Sequence, residues 1–88
     1  MTSTQLSDAV APGEILTEEL EARGWSHADF GQLIDRPGQL VSAVVAGEES
    51  ITPETASKIA ATLGTSAQMW LNLQRGYDLA QTSDSTRA

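Results

Sequence analysis

The residues of this chain with the types and spacing for recognition chemistry lie close together. Arg36, Gly38, Gln39, Leu40, Ser42 and Ala43 fall along one short segment, and His27 opens the segment before it. No nucleophile–base pair stands among them at a readable sequence spacing, so the chemistry expected of them is contact, not bond making. On a helix lying in a DNA major groove, Gln39 can pair with adenine through two hydrogen bonds, Ser42 can make a less selective bond, and Leu40 or Ala43 can touch a thymine methyl. Arg36 can bind a phosphate or a guanine edge. Gly38 and the free N–H groups of a helix start let a phosphate come close, and His27 could contact one too. Taken singly, each of these residues is more often a solvated surface group. Their common helix face favours the DNA reading. Glu48 and Glu49 follow directly, and they set negative charge where phosphates would lie.

The elements that must position these residues are legible as helices. Pro12 opens the first, with Ile15, Leu16 and Leu20 on its inner face, and it stops near Gly24. Ser26 caps the second, with Asp29 as its capping-box acid and Trp25 and Phe30 placed for a hydrophobic staple. Phe30, Leu33 and Ile34 are expected inside. Gly31 is small where two helices meet, and Asp35 stands at a turn that needs a residue tolerant of the left-handed region. The third helix runs from about Pro37 to Gly47, with Val41, Val44 and Val45 inward. Thr52 and Pro53 start the fourth, whose stripe is Ala56, Ile59, Ala60 and Leu63, and Gly64 ends it. The fifth begins at Thr65 or Ser66 and is expected to reach about Gln81. Its stripe is Met69, Trp70, Leu73, Tyr77 and Ala80, where Trp70 and Tyr77 read as core or dimer contacts. No alternating β-branched run supports a strand. The fold class is therefore all-α, a compact five-helix helix-turn-helix domain. A flexible N-terminal arm is expected over residues 1–11, the domain over 12–81 and a disordered tail over 82–88.

Composition bounds the function. The 88 residues carry five Lys+Arg against twelve Asp+Glu, a formal net charge of −7. That is the wrong sign for coating nucleic acid by charge alone, and it favours a basic protein partner or a DNA contact made by a local patch. There are no cysteines and His27 is the only histidine. Neither a metal site nor a cofactor is expected, an enzyme is not expected, and the lack of cysteine fits a cytoplasmic protein. No apolar run approaches a membrane span, and the first residues do not read as a secretory signal.

Two segments carry a family resemblance. "PGEIL" at Pro12–Leu16 and "SITPETASKIAATLGTSAQMWLNLQRGYDLA" from Ser50 to Ala80 resemble the HigA-type antitoxins of the λ-repressor-like (XRE/Cro) helix-turn-helix class, most specifically in "MWLNLQRGYDL". The resemblance covers about residues 12–81. It implies a recognition helix in the major groove, an operator before the chain's own operon, and a small basic toxin that cuts messenger RNA and is neutralised by binding. It also implies a homodimer formed by the C-terminal region, with Met69, Trp70, Leu73 and Tyr77 as candidate contacts. The chain departs from the family at the reading helix. Where members usually carry polar and basic residues, it has Gly38, Leu40, Ala43 and Ala46, then Glu48 and Glu49. The usual glutamine at the start of the second helix is His27. Neutralising only ~2–4 phosphates would give a shallow salt dependence, a log–log slope of roughly −2 to −4.

Two readings stay open at this stage. One is a DNA-binding repressor, the antitoxin of a toxin–antitoxin pair, with a lone phage or chromosomal regulator as its variant. The other is a protein-binding adaptor or antitoxin that keeps the fold and has weak or no DNA binding.

Overall fold

Prolines, cap residues and glycines punctuate the chain, and the computed structural model, which describes residues 10–87, places a helix in each interval. The order is α1 (Pro12–Arg23), α2 (His27–Leu33), α3 (Gly38–Ala46), α4 (Pro53–Leu63) and α5 (Ala67–Arg87). No strand occurs among the described residues, and none of their helices is long and apolar enough to cross a membrane. The first nine residues of the expected arm lie outside the described ones.

The local signals act as their chemistry requires. Ser26 Oγ accepts from the Asp29 N–H and Asp29 Oδ2 accepts from the Ser26 N–H, each at 3.0 Å, so the capping box satisfies two donors that α2 would otherwise leave open. Trp25 stacks on Phe30 with ring centroids 6.0 Å apart, which is the expected staple. Thr52 Oγ1 accepts from the Thr55 N–H at the start of α4, and Ser66 Oγ accepts from the Met69 N–H at the start of α5. Left-handed glycines at 24, 47 and 64 close α1, α3 and α4.

The turn from α2 to α3 fixes the angle of the reading helix. Asp35 sits at φ 58°, and the Arg36 N–H donates to the Gly31 carbonyl at 2.8 Å. A Cβ on Gly31 would lie 2.6 Å from the Arg36 carbonyl oxygen and 2.9 Å from the Gly38 nitrogen. Only a bare Cα lets the chain fold back this closely. Gly31→Ala is therefore expected to cost about 1–3 kcal/mol, as an overpacked site does. Urea unfolding followed by circular dichroism checks it, and a loss below about 0.5 kcal/mol would mean that the turn relaxes freely.

The helices share one core. Leu16 and Leu20 of α1, Phe30 and Ile34 at the end of α2, Val41 and Val44 of α3, and Ala56 and Ile59 of α4 are all buried around Trp70 of α5. Two anchors hold α5 in place. The Trp70 Nε1–H donates to Thr65 Oγ1 at 2.8 Å, and the Ile51 N–H donates to Gln74 Oε1 at 2.8 Å, tying the α3–α4 loop to α5.

Three expectations need correction. Leu33, expected inside, is 52% exposed. Phe30 and Ile34 are four apart and take the inner face, while α2 ends at Leu33 and the chain unwinds into the left-handed turn. The fifth helix does not stop at Gln81 but continues to Arg87, so residues 82–87 of the expected disordered tail are helical. No glycine or proline follows Gly76 to interrupt its ladder. Finally, Trp70 is wholly buried within its own chain, so it has no surface to offer a second copy. Met69, Leu73 and Tyr77 remain partly exposed candidates, although Met69 and Leu73 also pack against the core.

Candidate nucleic-acid interface

The start of α3 and the start of α2 meet side by side, and their outer surfaces line a shallow cleft of about 650 Å³. Its walls are His27 and Ala28 from α2, Gly38, Gln39, Ser42, Ala43 and Ala46 from α3, and Glu48 just beyond. Residues separated in sequence thus reach one face because the two helices cross at the turn. A Cβ on Gly38 would stand 3.0 Å from the Ala28 Cα, so the bare glycine lets the two helix starts touch. Val41 and Val44 anchor α3 from behind, which leaves Gln39 and Ser42 exposed.

Two of the expected contact residues lie apart from this cleft. Leu40 is half-buried and packs against the core. Arg36 lines a second, smaller hollow of about 380 Å³ with Gly31, Gln32, Asp35 and Pro37. Its guanidinium forms an ion pair with Glu54 in the first turn of α4. The Arg36 Nε atom is buried with no hydrogen-bond partner.

The polar groups of the cleft are linked. His27 Nδ1 and Ser42 Oγ are 2.8 Å apart and share a hydrogen bond. The serine hydroxyl donates when the ring nitrogen facing it is bare. The bond ties α2 to the outer face of α3. Any base edge that Ser42 meets must share that hydroxyl with His27. Pro37 supplies no side-chain cap to α3, and the Leu40 N–H donates to the Pro37 carbonyl at 3.0 Å, which leaves the Gly38 and Gln39 N–H groups for an acceptor such as a phosphate oxygen.

Negative charge closes the far end. The N–H groups of Glu48 and Glu49 both donate to the Ala43 carbonyl, at 2.9 and 3.2 Å, which fixes these residues at the C-terminus of α3. Both side chains are exposed, and Glu48 faces the cleft. Sequence reasoning missed Ala28 as a wall of this face and Glu54 as the partner of Arg36. The first follows only from how α2 and α3 cross. The second joins residues eighteen positions apart, with no local pattern to betray it.

Comparison with known proteins places this geometry. No family model matches the chain. An HTH-type transcriptional regulator of Escherichia coli (strain K12), YddM, is 36% identical over 70 residues, covering 80% of this chain and 74% of the relative. Among solved structures, an addiction module antidote protein of the HigA family from Coxiella burnetii superposes with a TM-score of 0.85 at 34% identity, covering 91% of this chain and 88% of that one. The antitoxin HigA of Pseudomonas aeruginosa, solved with the higBA promoter, superposes with a TM-score of 0.82 at 31% identity, covering 86% and 84%. The chain belongs to the helix-turn-helix transcriptional regulators, in the branch of the HigA-type antitoxins.

Proposed function

We propose that the chain is an operator-binding repressor, the antitoxin of a toxin–antitoxin pair, and that it acts as a homodimer. The observation that carries this reading is the α2–α3 face. Gln39 and Ser42 stand outward on a helix anchored by Val41 and Val44, and the uncapped start of that helix lies beside them. In this reading α3 enters the major groove. Gln39 meets a base edge, Ser42 with its partner His27 meets another, Ala43 offers a methyl contact, and the backbone at Gly38 takes a phosphate. Arg36 contributes a phosphate contact once it leaves Glu54, and Leu40 supports the helix from its flank. Two copies joined through α5, with Met69, Leu73 and Tyr77 in the contact, present their α3 helices about 34 Å apart, the spacing of half-sites one helical turn apart. The toxin partner is a small basic protein, and the net charge of −7 suits its encounter.

A second reading draws support from Glu48. A carboxylate on the wall of the cleft repels a phosphate backbone and attracts a cationic protein. In that case the chain covers a partner and uses the helix-turn-helix as scaffold.

Fluorescence anisotropy separates the two readings. The duplex comes from upstream of the chain's own gene, a scrambled duplex serves as control, and salt is varied. The repressor reading expects tight binding to the upstream duplex. It also expects Gln39→Ala to weaken that binding by about 1–3 kcal/mol per half-site, the size of one lost bidentate contact. Equal affinity for both duplexes at every salt concentration would reject the repressor reading and leave the protein-binding one.

A further inference from the structure

At the turn that leads into α3, the Arg36 guanidinium is already occupied. Glu54, in the first turn of α4, holds it through a carboxylate oxygen on the guanidinium's Nη2. Only 32% of the Arg36 side chain is exposed, against 66% for Glu54. The arginine is packed into the turn, and the glutamate reaches over to it from solvent. Carboxylate and phosphate present the same planar or near-planar pair of oxygens to a guanidinium, so they compete for one site.

We propose that Glu54 is a positioning residue for DNA discrimination: its carboxylate stands in for a backbone phosphate on Arg36, so that a duplex gains this cation only by displacing it. The inference rests on the α2–α3 face being the DNA interface. It gives Glu54 a task beyond favouring the start of α4. In the free protein the cation nearest the start of α3 is neutralised, and a non-specific duplex finds no charge there to condense upon. A duplex that also satisfies Gln39 and Ser42 brings its phosphate to Arg36 at contact distance, where the exchange of one oxyanion for another costs little. The outward exposure of Glu54 lets it swing away without disturbing the core.

The test is a salt titration of anisotropy with the full chain, using a scrambled duplex and the upstream duplex. Three variants are compared with the wild type: Glu54→Gln, Glu48→Gln, and Glu54→Gln combined with Arg36→Ala. Glu54→Gln is expected to tighten binding to the scrambled duplex on the order of tenfold at low salt. It should also steepen the log–log salt slope by roughly 2 per dimer, one phosphate for each released arginine. Adding Arg36→Ala is expected to abolish both changes. Glu48→Gln removes the same charge without freeing an arginine: it is expected to tighten binding by relief of repulsion at the cleft, with a slope change well below that of Glu54→Gln. A gain in the double variant equal to that of Glu54→Gln, an equal slope change in Glu48→Gln, or no gain in Glu54→Gln would overturn the proposal. Wild-type preference for the upstream duplex, read in the same titrations, tests the repressor reading separately. Its absence would remove that reading while the scrambled-duplex arm still decides the role of Glu54.

Discussion

Trp70→Ala is expected to cost about 3–5 kcal/mol of folding stability, the largest single loss available in this chain. Trp70 is the largest fully buried side chain, and its removal leaves a hole where α5 closes over α1 and α4. It also strands Thr65 Oγ1, which now accepts the indole N–H at 2.8 Å. A chain of 88 residues has only about 4–13 kcal/mol in hand. The variant should therefore melt on the order of 20 °C lower, and a good part of it should be unfolded at growth temperature. Thermal melts by circular dichroism at two protein concentrations check this. A core tryptophan lowers the melting temperature by the same amount at both concentrations. A dimer-contact tryptophan would leave the monomer fold intact and change only the concentration dependence, which would contradict the burial found here. Thr65→Ala serves as the smaller companion, with a loss of about 1 kcal/mol for one hydrogen bond.

Much of this architecture was legible because its signals are local. A capping box spans Ser26 to Asp29, a staple spans Trp25 to Phe30, and a left-handed stop needs one glycine; each can be read from a few adjacent residues. The inward valines of α3 were legible for the same reason, since helical spacing alone decides which face they share. What escaped depended on the crossing of elements. Leu33 has the spacing of an inner residue, yet the helix ends beneath it. Trp70 sits on an aromatic stripe that suits either a core or a dimer, and only the packing of α5 on its own chain settles which. The candidate site divided in the same way. Periodicity puts Gln39, Ser42, Ala43 and Ala46 on one face of α3, and they share a cleft with His27 and Gly38. Arg36 belongs to their neighbourhood in sequence, but a glutamate from the next helix claims its charge. Pairings between helices leave no periodic mark, so the electrostatics of a surface are less readable than its shape.

Glu48→Lys combined with Glu49→Lys should have the largest effect on DNA binding. The question is whether the two acids hold the molecule off DNA or stand clear of it. Their position argues for the first. The N–H groups of both residues are tied to the Ala43 carbonyl, so the pair cannot drift from the end of α3, and the Glu48 side chain borders the same cleft as Gln39 and Ser42. When a phosphate backbone lies along that cleft, each carboxylate adds repulsion and each lysine adds attraction. In a dimer, four lysines could neutralise up to about four phosphates, which steepens the log–log salt slope by roughly 3 to 4. Affinity for any duplex should then rise on the order of a hundredfold at low salt and much less at high salt. The fold should tolerate the change. Acids at a helix C-terminus oppose the macrodipole and lysines complement it, so stability should hold or rise by about 0.3–1 kcal/mol for each exposed residue. An unchanged melting temperature with a tightened, salt-sensitive binding curve would locate the duplex along α3. Unchanged binding would place both glutamates clear of the phosphates and move the DNA path off the end of this helix. A tighter curve for the scrambled duplex alone would show what these acids do in the natural chain: they set the level of non-specific binding, and the polar start of α3 is left to choose the sequence.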